Sequence, residues 1–204
     1  IKDELEMLIN EEKDHNSLAN YLLGIIFYTL RNHNKKNESL SFLHLLKGDI
    51  MGHNDSTFTL GFLYFNGHCV HQDYQMALKL FKKAYKQGNH NASLYLGDMY
   101  LKSKGVNKNQ ALSYQYLFQG AFEEHEQCIK YLKNNIENGT FSSYELKYKQ
   151  GDYTRCCYLG NMLFHGISIS KSTIQAIEYW FIGLEHYNCQ HCFLQLSNYF
   201  RKNG

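Results

Sequence analysis

Four stretches of the chain share one pattern: Leu23-Gly24-Ile25-Ile26-Phe27, Leu60-Gly61-Phe62-Leu63-Tyr64, Leu96-Gly97-Asp98-Met99-Tyr100 and Leu159-Gly160-Asn161-Met162-Leu163. Each glycine follows a leucine and stands three residues before an aromatic or large apolar side chain. Gly24, Gly61 and Gly97 lie 37 and 36 residues apart, and the same frame carries on to Lys133 and Ser197. Self-similarity at a period of roughly 20 to 50 residues marks a solenoid, whose units bury their apolar faces only against their neighbours. A second series, Gly52, Gly88 and Gly151, stands nine residues before Gly61, Gly97 and Gly160. Two glycine series locked at one offset point to the same repeat.

Working outward from the glycines gives two helices per unit. In the clearest unit helix A is expected over 91–103, a loop carries Lys104-Gly105-Val106, and helix B covers 109–120. In the unit before it, helix A is expected over 56–65, the loop is Asn66-Gly67-His68-Cys69-Val70, and helix B runs over 74–87. Gly88 then falls where a left-handed residue ends a helix. Met76, Leu80, Phe81 and Ala84 recur at the spacing of a half-buried helix, with lysines opposite. Ala77, Ala111 and Ala176 are each followed three residues later by Leu80, Tyr114 or Tyr179. A small residue with a large one beside it lets two helices approach closely. The middle is irregular: Leu132 precedes Lys133, Ile136 takes the aromatic slot, Gly139 takes the loop glycine, and the second half is short.

The expected fold is therefore all-α, a right-handed superhelical solenoid of antiparallel helix pairs forming one array over 1–204. Its units are placed at about 15–52, 53–88, 89–124, 125–151 (degenerate) and 152–188, with partial units at 1–14 and 189–204. Composition agrees. Proline is absent, where average usage would supply about 10, so nothing breaks a helix from within. Hydrophobic residues make up 44% of the chain and charged residues 20%, enough apolar mass for a continuous core. The formal charge of +2 is too balanced for nucleic acid as the main partner. No apolar run approaches membrane-spanning length, so no membrane insertion is expected. The chain starts at Ile1 and reads as part of a longer polypeptide or larger complex.

These marks resemble the Sel-one-like repeat, a relative of the tetratricopeptide repeat with a longer inter-helix loop. The small residue of that pattern is matched by Ala19, Ala92, Cys128 and Cys192, and its tyrosine by Tyr64 and Tyr100. Phe27, Leu163 and Phe200 depart from the tyrosine. The resemblance implies a non-catalytic adaptor that holds protein complexes together, with no cofactor. One branch of such proteins is lumenal and recruits misfolded glycoproteins for degradation, so an endoplasmic-reticulum adaptor is the alternative role. A cysteine-rich branch carries a regular disulfide in each repeat, a pairing with no counterpart in this sequence.

Candidate sites follow from the repeat frame. Helix A lines the concave wall in this repeat class, and the position after the frame glycine reads Ile25, Phe62, Asp98, Asn134, Asn161 and Asn198. Such varied chemistry suggests an outward slot. One turn away stand Tyr21, Phe58, Leu94, Tyr28, Phe65 and Leu101. The expected partner-binding set is Tyr21, Ile25, Tyr28, Phe58, Phe62, Phe65, Asp98 and Asn161, a groove of aromatic anchors and adaptable amides suited to a protein or peptide partner. The competing reading is that these aromatics pack against the next unit.

Six cysteines raise a thiol or metal reading. Cys128 and Cys192 fall on a small-residue core slot and Cys157 on an apolar one. Cys189 and Cys192 share a helical face, and with His186 they could compose a zinc or redox site. That enzymatic alternative is outweighed by packing, so no metal ligand and no catalytic residue are assigned. His68, Cys69 and His71 share a loop. Lys79, Lys82, Lys83 and Lys86 form a basic stripe read as a solvated outer face. Asn37, Asn54, Asn91 and Asn138 open glycosylation sequons, which leaves cytoplasm and secretory lumen equally open.

Overall fold

A computed structural model describes residues 16–31, 34–136 and 139–203. The helix expected over 3–14 and the sequon at Asn138 lie outside the described residues. Those residues form eleven α-helices and one 3-10 turn, with no strand among them. The helices are α1 (Ser17–Thr29), α2 (Lys35–Ile50), α3 (Asn54–Asn66), α4 (Tyr74–Lys86), α5 (Asn91–Lys102), α6 (Gln110–Phe122), α7 (Glu126–Asn135), α8 (Thr140–Lys149), α9 (Cys156–His165), α10 (Thr173–Tyr187) and α11 (Gln190–Asn203). The chain divides into two compact units, residues 1–113 and 114–204, and the division falls within α6.

In the first unit α1 packs on α2 and α3 on α4, while α2 against α3 and α4 against α5 join successive pairs. In the second, α9 packs on α8, α10 and α11, and α10 packs on α11. The frame glycines explain how the pairs close. A Cβ built on Gly24 would meet Leu45 Cγ at 2.6 Å, and one on Gly61 would meet Phe81 Cδ1 at 2.9 Å. A Cβ on Gly160 would meet the Trp180 indole, with Cδ1 at 2.5 Å. In these three pairs helix A thus presents a bare backbone stripe into which one large residue of helix B is seated. Leu45, Phe81 and Trp180 are fully buried.

The small and large positions of helix B are consequently four residues apart, not three. Ser41, Ala77, Ser113 and Ala176 are buried to completion, each four before Leu45, Phe81, Leu117 or Trp180, because positions four apart stack on one helical face. Ser41 Oγ donates to Gly24 O at 2.9 Å and Ser113 Oγ to Gly97 O at 2.7 Å, so serine serves this slot as well as alanine. Ala111 and Met76, by contrast, are exposed, and Leu80 and Tyr179 are only half-buried.

Among the described residues, the loop after helix A is one motif used three times. Gly67, Ser103 and Gly166 adopt φ of 70°, 58° and 62°, and Cys69, Gly105 and Ser168 follow at 61°, 67° and 57°. The first left-handed residue ends the helix, and the amide of His68, Lys104 or Ile167 returns to Leu63, Met99 or Met162. The amides of Asp73, Asn109 and Ser172 then donate to Tyr64, Tyr100 and Leu163, each nine residues back, at 2.9 to 3.0 Å. Those three residues also stand at the start of helix B. Asp73 Oδ1 accepts from the Gln75 and Met76 amides, and Asn109 Oδ1 from Leu112.

Candidate functional site

Three rings of α3 converge on one ring of α5. Phe58, Phe62 and Phe65 lie 5.5, 6.0 and 5.4 Å from Tyr95, all edge-on, and Phe81 stacks on Tyr95 at 4.9 Å. Tyr28 meets Phe62 at 6.5 Å, and its hydroxyl shares a 2.9 Å hydrogen bond with His68 Nδ1. The Arg31 guanidinium sits 3.9 Å over the Tyr28 ring. Tyr21 stacks on His53 at 4.9 Å. Tyr21, Ile25, Tyr28, Phe58, Phe62, His68 and Tyr95 are each half-buried. Burial raises the Tyr28 and Tyr95 hydroxyls above the usual tyrosine value, which leaves neutral rings and hydroxyls on this face at neutral pH.

The other expected site residues sit elsewhere. Phe65 is buried among Tyr74, Phe81 and Tyr95, with Lys104 Nζ 4.5 Å over its ring. The slot after the frame glycine turns inward at three places: Asp98, Asn161 and Asn198 are buried. Varied polar chemistry there reflects local partners rather than solvent. Asp98 bonds Lys102 at 2.5 Å and Lys104 at 3.0 Å. Asn161, 2% exposed, accepts from Trp180 Nε1 at 3.1 Å and donates from Nδ2 to Cys157 Sγ at 3.8 Å. Asn134 alone of the polar slots faces solvent.

The basic stripe of α4 is drawn partly into the fold. Lys83 pairs with Asp49 at 2.6 Å, and the same carboxylate accepts from Thr57 Oγ1 at 2.5 Å, so Asp49 links α2, α3 and α4. Lys82 lies 5.6 Å over Tyr100. Among the sequons, Asn37 Nδ2 donates to Leu30 O and Asn54 Nδ2 to Gln87 O.

Cys128 and Cys192 are fully buried, as the small-residue slot requires, and Cys157 is 6% exposed. The thiol grouping differs from the sequence expectation. Among the described residues, the sulfurs of Cys157, Cys189 and Cys192 lie within 4.8 Å of one another. His186, in the last turn of α10, instead stacks on Tyr153 at 4.5 Å. Hydrogen bonding from Cys157, then from Cys192, holds the Cys189 thiol well below its usual value, and the same contact pushes Cys157 up. Spacing could not have found Cys157, which lies 32 residues before Cys189.

The family model for the Sel1 repeat matches residues 55–89, 90–121 and 156–182, so the chain carries three Sel1 repeats. The match passes over 122–155, where α7 is short and Gly139, with φ of 97°, opens α8 directly. Among solved structures, the chain is similar to a Sel1 repeat protein from Oxalobacter formigenes, at 18% identity and a TM-score of 0.62, covering 97% of this chain and 59% of that one. It is also similar to a protective antigen present in uropathogenic Escherichia coli strains, described as displaying an SLR fold, at 17% identity and a TM-score of 0.48, covering 89% of this chain and 48% of that one. The chain thus spans about three-fifths and one-half of those two proteins. No curated protein matches it in sequence. Proteins of Sel1 repeats are generally protein-interaction scaffolds, and no helix among the described residues is long and apolar enough to cross a membrane.

Proposed function

We propose that the chain, read as one array of repeats, is a non-catalytic scaffold that holds a peptide or protein partner against the helix-A face of its first unit. Tyr21, Ile25, Tyr28, Phe58 and Phe62 are its contact set. Phe65 and Asp98 act from behind, by seating Tyr95 and by fixing Lys104 beside the rings. Asn161 plays the corresponding supporting part in the second unit. The observation that carries this reading is the run of half-buried rings from Tyr28 through Phe62 to Tyr95, with Arg31 at one end. Partly open aromatic surface, already rigid and low in rotamer entropy, is what recognition of a partner side chain uses.

The test is a double substitution, Tyr28→Ala with Phe62→Ala, measured against peptides selected on the unmodified protein. Loss of two such anchors costs about 2 kcal/mol or more, so affinity should fall about 30-fold or more with the circular dichroism spectrum unchanged. Selected peptides that bind the variant as tightly would remove this face from the proposal.

A further inference from the structure

Cys157 lies in the first turn of α9, Cys189 immediately precedes α11, and Cys192 lies in the first turn of α11. Each is a free thiol. A cysteine that merely fills a core slot would turn its sulfur toward carbon. Here the three sulfurs turn toward one another, all within 4.8 Å.

Polar hydrogens are aimed at two of them. The Cys192 amide donates to Cys189 Sγ at 3.4 Å. Asn161 Nδ2 donates to Cys157 Sγ at 3.8 Å, and its orientation is fixed because the Trp180 indole can only donate and so must face the amide oxygen at 3.1 Å. Such outer N–H groups orient sulfur ligands and stabilise their charge. Gly183 belongs to the same arrangement: a Cβ there would meet Cys192 Sγ at 2.6 Å and Cys156 Cβ at 3.0 Å. The bare backbone of α10 leaves the room that the sulfur occupies.

We propose that Cys157, Cys189 and Cys192 form a three-sulfur site for a thiophilic d10 cation, zinc(II) or copper(I). Sulfur ligands select these ions. Metal–sulfur bonds near 2.3 Å place bound sulfurs about 3.8 to 4.0 Å apart, so the ion requires only a small contraction of the group. Cys189 and Cys192 stand at the two-residue spacing of a zinc half-site on a helix start. Cys157 and Cys192 close the floor, while half-buried Cys189 leaves one open side. Zinc(II) would complete four-coordination with a water on that side, and copper(I) would take the three sulfurs alone. Each thiol that ligates gives its proton to solvent as its sulfur–metal bond forms, and no electron is transferred.

The experiment titrates the reduced 204-residue protein with zinc(II) in one arm and copper(I) in the other, each against a chromophoric chelator. Cys189→Ser is the decisive variant, because serine is a favourable helix cap and keeps α11 started while removing one ligand. One equivalent should bind in at least one arm, and Cys189→Ser should weaken that ion at least about 100-fold, whereas Cys69→Ser leaves affinity unchanged. X-ray absorption then separates the ions: three sulfurs with one oxygen for zinc(II), three sulfurs alone for copper(I). Absence of a stoichiometric ion in both arms, or equal affinity in Cys189→Ser, would overturn the assignment. Conversion of the thiols to a disulfide with no metal uptake under the same conditions would do so as well.

Discussion

Replacing Gly160 by alanine puts one methyl group where the Trp180 indole lies. The added Cβ would stand 2.5 Å from Trp180 Cδ1 and 3.0 Å from Ala176 O, against about 3.5 to 4.0 Å for carbon atoms in ordinary contact. Trp180 is fully buried, with Phe164 at 5.3 Å and Phe122 at 6.5 Å from its ring, so it can yield only by disturbing its neighbours. Overpacking costs about 1 to 3 kcal/mol. Moving the indole also breaks its bond to Asn161 and strands a buried donor, for about 1 to 3 kcal/mol more. Alanine returns about 1 kcal/mol of helix propensity. The net is a loss of about 3 kcal/mol. Because Trp180 is the only tryptophan, its emission reports the second unit directly. Urea midpoints should fall by about 1 to 3 M at the usual slope for small proteins. Gly151→Ala is the comparison, since a Cβ there meets nothing within 4 Å and only φ of 92° opposes it, a cost of about 1 kcal/mol. If Gly160→Ala were no worse than Gly151→Ala, the seating of helix B against a bare stripe of helix A would be wrong.

Glu124 ends α6 with φ of 62°, where its counterparts Gly52, Gly88 and Gly151 are glycine; Glu124→Gly should stabilise the second unit by about 1 kcal/mol, read as a rise in urea midpoint. Asp49→Ala removes the acceptor shared by Thr57 and Lys83 and should cost only about 1 kcal/mol, because the Thr57 hydroxyl keeps His53 O as an acceptor at 3.1 Å and the Lys83 pair is exposed, measured by chemical unfolding with circular dichroism. Burial, then Lys171 and Lys133, lowers His165 to about 4 from an ordinary 6.5. The unfolded chain therefore binds the extra proton between those values, so stability is complete above about pH 6.5 and is lost as pH falls toward 4, by at most about 3 kcal/mol. A pH series of Trp180 unfolding curves should show that slope in the native chain and a flatter one in His165→Leu.

Helix positions were legible because both glycine series mark backbone needs, and such needs recur whatever the side chains do. The loop shows where this stops. The loops after α3 and α5 each show one glycine in the sequence, yet Gly67 is the first left-handed residue of its loop and Gly105 the second. Ser103 holds the first place in that repeat and conceals it, as Glu124 conceals the end of α6. Where a non-glycine tolerates the left-handed region, the mark vanishes while the turn persists. Helix B was misread by one residue for a related reason. Leu80 and Tyr179 resemble groove-filling residues as well as Phe81 and Trp180 do, and only the glycine across the pair decides between neighbours on adjacent faces.

The slot after the frame glycine was misread for a deeper reason. Polarity in a sequence signals exposure only when no partner is available, and a partner supplied by a second helix is invisible in a one-dimensional pattern. Asn161 is the clearest instance: its oxygen is satisfied by Trp180 from α10 and its amide group turns to Cys157 on its own helix. The same residue therefore fixes an indole in the core and orients a sulfur at the thiol cluster. Replacing it with leucine would preserve volume but orphan the indole N–H, so Trp180 seating and the Cys157 sulfur should be disturbed together, which a solvent-facing asparagine could not do.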